Sequence, residues 1–302
     1  MNIVVDTLQE VEVNRPIRRP KSVKPETWRG YDGSSLLFSV NNASNKGGEG
    51  AMDRLLRAFR GLDLHTPPPI DDEDTAVLVA ERISLKTWNR FAQLDHLPRG
   101  LRLRQLVWDD GRVYVVEFPF TNEHEDAIGY IQRVFARALQ FHGSNRGQAN
   151  ISGPDGPNGS SVTLAPDFSY IPNPRLPGNR LPRDAVTVVV EIMHSQNWWS
   201  VQCKLRMYRQ LPHLQYVFLV RMSDALSNWT YELHARNPDF LDAVIRHQFR
   251  TETVPDNHNH FVHLDSRRVL GLQHDAQLPA ECPGEVVVNV VELARHVLAY
   301  AG

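Results

Sequence analysis

Asp167, Glu191 and Lys204 are the residues whose types and spacing could do chemistry. Asp167 lies in Ala165-Pro166-Asp167-Phe168-Ser169-Tyr170, and Glu191 closes the apolar stretch Val186-Thr187-Val188-Val189-Val190. A carboxylate buried without a partner is strongly destabilising, so a chain keeps one in such a stretch only where something balances its charge. A divalent metal shared with a second carboxylate is the usual balance. Lys204 follows on what reads as the next helix. Cutting a phosphodiester needs a metal that offsets charge on the phosphate and lowers the pKa of an attacking water. It needs hard oxygen ligands, which suit Mg²⁺ or Mn²⁺. It also needs a cation beside the attacking water or the developing charge. Asp167, Glu191 and the carbonyl of Ile192 can supply the oxygens, and Lys204 the cation. Gln202, two residues before Lys204, points elsewhere on that helix.

The elements that must position these groups are legible in outline. The run over 186–193 predicts a strand covered on both faces, and 162–170 a strand before it. A helix over 199–211 with Val201, Leu205 and Tyr208 on one side leads to a strand over 216–220, which makes a βαβ unit. Upstream, Asp109-Asp110-Gly111 is a hairpin turn between strands at 101–107 and 112–118. Ser84 caps a short helix over 85–94. An amphipathic helix over 123–142 turns Ile128, Ile131, Phe135, Ala138 and Leu139 to one face and ends at Gly143. Downstream, 229–235 alternates like an exposed strand, 239–246 reads as a helix, and strands near 262 and 286–290 precede a last helix ending at Tyr300. Residues 1–82 read as an arm and linker, with a basic piece at 15–25, one short helix over 51–60, and Pro67-Pro68-Pro69 ahead of an acidic cluster. Residues 83–302 then form one α/β domain with a mixed central sheet, helices on both faces, and the three chemical groups meeting in a solvent-open cleft at one end of the sheet.

Composition sets outer limits. The chain has 302 residues, 41% hydrophobic and 23% charged, with a formal net charge of -2. That is enough for a full core, and any polyanion site must be a local patch. No apolar stretch reaches the roughly 18 residues of a membrane span, and the first residues lack an apolar signal region. Cys203 and Cys282 are the only cysteines and form no disulfide framework. A reducing, intracellular location, cytoplasmic or nuclear and without membrane association, is therefore expected.

At the chemical residues the chain resembles a known family. Pro166-Asp167, then Glu191-Ile192, then Lys204 four residues before Tyr208, is similar to the PD-(D/E)XK superfamily, and more narrowly to the Uma-type restriction endonucleases. Met193 stands where the usual E-x-K lysine would be, and Lys204 fits the lysine moved to the helix. Gln215-Tyr216-Val217-Phe218-Leu219-Val220 resembles the family's strand after that helix, and Glu123-His124 its helix start. The resemblance covers roughly 83–302. It implies a restriction-endonuclease-like fold, a Mg²⁺- or Mn²⁺-dependent DNA endonuclease, Asp167, Glu191 and Lys204 as catalytic residues, and Gln105, His124, Gln202 and Tyr208 as accessory positions. DNA is the implied partner, and double-strand cutting would suit a homodimer. The chain departs from the family at Gln105, where an acidic residue is common, at Ser200, where an aspartate is common, and at His194-Ser195-Gln196, which replaces a serine-proline pair.

Other readings stand beside this one. Asp167 after proline can simply start a turn, Glu191 can pair with Lys204 as a structural ion pair, and a lone Lys204 can snorkel. The departures leave open a protein that keeps the fold and binds or regulates without cutting. A third class rests on His258-Asn259-His260, with Asp256 ahead and His263 beyond. Two histidines two apart on a strand can share a transition metal, although an exposed loop or hairpin is the simpler reading. Arg206 and Arg209 can touch a nucleic-acid backbone or form a solvated helix face. Trp198 and Trp199 can pack at the helix start or stack on a base.

Overall fold

The computed structural model describes residues 50–62, 76–116, 121–140, 142–145, 151–152, 163–194, 198–223, 225–237, 240–255 and 258–301. The basic piece at 15–25, the proline and acidic clusters at 67–74, Ser195, Gln196, Asp256 and the side chains of Trp198 and Trp199 lie outside these residues.

The N-terminal layer begins with helix α1, Ala51–Arg60, which buries Leu55 and Phe59. Strand β1, Val77–Ala80, follows, then helix α2, Leu85–Ala92. Ser84 caps α2 by accepting from the Thr87 N–H. Strands β2, Leu106–Asp109, and β3, Arg112–Val115, pair through a two-residue turn. Asp110 and Gly111 both take positive φ there, which is what an Asp-Gly hairpin turn requires. The residues at 101–105 form a 3₁₀ turn, Leu103–Gln105, where the sequence reading extends the strand. β1 falls in the stretch that reads as linker, yet it pairs antiparallel with β3 to complete a three-stranded sheet, β1-β3-β2. Its inner face packs on Trp88, Phe91 and Phe59, with Phe59 and Phe91 stacked at 5.0 Å.

Helix α3, Asn122–Leu139, is N-capped by Thr121. It ends at Leu139, not at Gly143. Gln140 takes a positive φ, and Gly143 opens strand β4, Gly143–Asn145. A Cβ at 143 would collide with the Tyr170 hydroxyl and the Ile171 carbonyl, so this position needs glycine to let β4 approach its neighbour. Two short strands, β5 (Ile151–Ser152) and β6 (Thr163–Leu164), pair with each other. Then come β7, Phe168–Pro172; β8, Val188–Met193; helix α4, Trp198–Tyr208; and β9, Tyr216–Met222. Strands β10, Asn228–Asn237, and β11, Phe240–Arg250, finish the main sheet. The ribbon of β12 (Phe261–Asp265) and β13 (Glu285–Asn289), a short α5 (Ser266–Val269) and α6 (Val290–Tyr300) close the chain.

The main sheet runs β11-β10-β9-β8-β7-β4 among the described residues, with β8 and β9 parallel and the other neighbours antiparallel. This is the mixed central sheet flanked by helices that the sequence leads one to expect. Alternation along β8 divides the two faces. Val188, Val190 and Ile192 pack with Ile128, Ile131 and Phe135 of α3, whereas Val189 and Met193 pack with Val201, Leu205 and Tyr208 of α4. The small sheet docks on the outside of α4, where Ala76, Leu78, Val107, Tyr114 and Val116 enclose Cys203.

Two expectations downstream are corrected. The segment read as a helix at 239–246 is β11, which pairs with β10 along its length. A bulge breaks that pairing: Leu233 faces Ile245 and His234 faces Ala243, so Val244 is extra and 58% exposed. Because β11 covers the edge, β10 is an interior strand and not an exposed one.

Candidate functional site

Glu191 shares the face of Val189 and Met193, so its carboxylate points at α4. Lys204 and Tyr208 are four apart on that helix and present one surface to it. Lys204 Nζ donates to Glu191 Oε2 at 2.7 Å, and the Tyr208 hydroxyl donates to Oε1. Asp167 sits one step beyond the β7–β8 pair Phe168 and Val190, level with Glu191. Its Oδ2 accepts from the Ile192 N–H at 2.8 Å. The Ile192 carbonyl pairs with His124 Nε2 at 2.9 Å, and the same nitrogen lies 3.4 Å from Asp167 Oδ2. A carbonyl cannot donate, so His124 Nε2 carries the proton. Asp167, Glu191, Lys204, Ile192, His124 and Tyr208 therefore come together.

Gln105 and Gln202 do not join them. Gln105 turns its side-chain oxygen back to the Arg102 N–H at 2.8 Å, closing the 3₁₀ turn. Gln202 is half-buried, and no hydrogen bond among the described residues ties it to the cluster. Gln105→Glu is therefore expected not to raise activity, because a carboxylate there would serve the turn; a cleavage assay on that variant checks this. Ser200 is buried at the start of α4. His194 Nδ1 lies 3.1 Å from the Thr121 hydroxyl that caps α3, which ties the β8 end to that cap.

Sequence reasoning missed Arg104. It follows Leu103 in the 3₁₀ turn, is wholly buried, and reaches Asp167 Oδ1 with Nη1 at 3.6 Å and Glu125 Oε1 with Nη2 at 2.5 Å. The signal available was an arginine between Leu103 and Leu106, in a segment that otherwise points apolar residues inward. A second missed group is Glu232, His234 and Arg246, where Glu232 Oε2 is 3.0 Å from His234 Nε2 and Oε1 is 2.5 Å from Arg246 Nε. It lies two strands from Glu191 across the same face, level with it through Leu219. Read as an exposed strand, 229–235 gave no reason to expect a buried Glu-His pair.

The solvent-open cleft is also corrected. Asp167 and Glu191 are 0% exposed and Lys204 2% exposed. The α4 face closes on β8 and β9, and the small sheet closes over α4 in turn. Burial acts on both carboxylates, but the neighbours split them. Burial would raise Asp167. His124 by charge and hydrogen bond, then Lys204 and Arg104, outweigh it and hold Asp167 down. Burial pushes Glu191 up to about 7, the negative charge of Asp167 adds to this, and Lys204 and Tyr208 only partly oppose it. Burial likewise drives the Tyr208 hydroxyl well above its ordinary range, so it stays a donor. Tyr208→Phe leaves Glu191 Oε1 without its donor and is expected to lower stability by about 1–3 kcal/mol, read from chemical denaturation.

Asp167, Glu191 and the Ile192 carbonyl are oxygens of the kind a hard divalent ion takes, and no group of three or more His, Cys, Asp or Glu side chains stands ready for a metal among the described residues. Asp167 Oδ1 is a buried oxygen with no hydrogen bond among the described residues, and the Arg104 contact to it is too long to be one. Each Glu191 oxygen carries one bond among the described residues, and a carboxylate oxygen can accept two. The Ile192 carbonyl keeps a second lone pair.

No family model matches this chain, and no curated protein matches it. Among solved structures, the chain is similar to a crystal structure of a candidate nuclease of the DUF820 family from Anabaena variabilis, at 12% identity and a TM-score of 0.42, over 71% of this chain and 99% of that chain.

Proposed function

We propose that the protein is a metal-dependent endonuclease that hydrolyses phosphodiester bonds in DNA. The observation that carries this reading is the meeting of Asp167, Glu191 and Lys204, from two strands and a helix, in one bonded cluster. Asp167 and Glu191 would hold Mg²⁺ or Mn²⁺, with the Ile192 carbonyl as a third oxygen. When bound, the ion neutralises charge on the scissile phosphate and acidifies a water. Lys204 carries the fixed positive charge on the side of α4, where it can steady an attacking water or the developing oxyanion. Tyr208 holds Glu191 in place, and the His124 Nε2 proton fixes the Ile192 carbonyl and Asp167 together. The ion also relieves the repulsion between two adjacent buried carboxylates. Millimolar Mg²⁺ or Mn²⁺ should accordingly raise the melting temperature of the wild type and not of Asp167→Ala.

One observation favours a second reading, a non-cutting protein of the same fold. The cluster is buried, and its carboxylates already face Lys204, Arg104 and His124. The two readings part on one experiment. Purified protein incubated with plasmid DNA should nick or cut it with Mg²⁺ or Mn²⁺ and not with EDTA. A folded wild type that leaves supercoiled, linear and single-stranded DNA intact with both metals would select the second reading.

A further inference from the structure

The paired histidines of the C-terminal region are not used by the carboxylate cluster. His260 stands just before β12 and leans on the main sheet. Its Nδ1 is 3.1 Å from the Tyr231 hydroxyl of β10, and its ring meets His247 and Phe249 of β11 edge-on, with centroids 5.8 and 5.0 Å apart. The other nitrogen of His260, Nε2, faces Nε2 of the exposed His258 at 3.1 Å. His263 takes no part, since it faces Glu285 across the ribbon at 2.7 Å.

That spacing is informative. Two imidazole nitrogens each about 2.0–2.1 Å from one Zn²⁺ lie roughly 2.9–3.4 Å apart for ligand angles between about 90° and 110°. The second nitrogen of His260 is also placed for ligation. The Tyr231 hydroxyl can accept from Nδ1–H, and in that tautomer the Nε2 lone pair faces outward, the usual arrangement behind a metal-bound histidine.

We propose that His258 and His260 form a transition-metal site that takes Zn²⁺, Ni²⁺ or Cu²⁺ through their two Nε2 atoms. No preformed group of three or more ligands exists among the described residues, so water completes the coordination and the site is open. An imidazole pair selects borderline ions over Mg²⁺, which keeps this site chemically apart from the carboxylate cluster. The ion would brace the connection entering β12, where His260 already meets Tyr231 of β10.

Calorimetric titration of the full chain with Zn²⁺, with Mg²⁺ in excess throughout, tests this. One tight binding event is expected. His258→Ala, at an exposed position that leaves the fold intact, should weaken it by at least tenfold, and the His258→Ala, His260→Gln pair should remove it. Tyr231→Phe should weaken it by about tenfold or more, because the orienting hydroxyl is gone. Asp167→Ala should leave it unchanged. Copper loaded at one equivalent should show nitrogen couplings in its electron paramagnetic resonance spectrum that His258→Ala loses. Absence of a tight event, its survival in the double variant, its loss in Asp167→Ala, or a copper spectrum without nitrogen coupling would each overturn the proposal.

Discussion

Arg104→Met is expected to lower the free energy of unfolding by about 3–5 kcal/mol, the cost of breaking a buried ion pair on one side only. Arg104 and Asp167 are both wholly buried, and Arg104 is one of the cations holding Asp167 in its charged form. Methionine matches most of the stem and supplies none of the charge. Domains of this kind are stable by only about 5–15 kcal/mol, so the loss should move the denaturation midpoint far and leave the denaturant slope unchanged. Asp167→Asn in the same chain should recover part of the loss, since no unpaired charge is then buried. The double variant should therefore fall short of the sum of the two singles. A loss under about 1 kcal/mol for Arg104→Met would mean that water already serves Asp167, and that the cluster is not closed in solution.

The segment from β7 to β9 is the part of the fold most legible in the sequence. A continuous apolar run can only be a strand with both faces covered, and one carboxylate in it has to be balanced. Lys204 and Tyr208, four apart on an amphipathic helix, are the groups that α4 turns toward that strand. Asp167 comes level with Glu191 because the strand it precedes pairs antiparallel with β8. The rest depends on contacts that no local pattern records. Val244 is an extra residue in the β10–β11 pairing, and it shifts the alternation of β11 midway. With the period broken, Leu241, Val244, Ile245 and Phe249 mimic helical spacing. Arg104 becomes a partner of Asp167 only because the small sheet docks on α4 and carries the 3₁₀ turn with it. The same docking buries the cluster, and it rests on β1, whose four residues fall in a stretch that reads as linker. His258 and His260 were visible as a motif. Their Nε2 atoms face each other in the connection before β12 and not within a strand.

Glu191→Gln should separate the two readings of the site, because it acts on stability and on chemistry in opposite directions. Glu191 has its pKa raised by the fold to about 7, from an ordinary value of 4.5. The folded state therefore binds this proton more tightly than the unfolded state. Stability from this group is full below the unfolded value and is lost as pH rises through about 7, with a total on the order of 3 kcal/mol. Asp167 acts in another window. Its pKa is held below the ordinary value of 3.8, so its contribution is present above that value and is lost only as pH falls below it. Glutamine imitates protonated Glu191, keeping the shape and an oxygen for Lys204. The variant should match the wild type near about pH 5 and exceed it at about pH 8, and the difference between the two curves isolates Glu191 from every group the two proteins share. If the site cuts DNA, the same substitution should abolish cutting, because a neutral amide no longer balances the ion. Lys204→Met should slow cutting by about 10²–10³-fold while Mg²⁺ still stabilises the protein. A chain with no use for the charge is better served above neutral pH by glutamine, so a stabilised, inactive variant of an active wild type would tie the unfavourable charge to the chemistry. Equal melting curves for Glu191→Gln and wild type across that range would show that Lys204 and Tyr208 fully offset the burial of Glu191, and that the cluster is at rest as an ordinary buried ion pair.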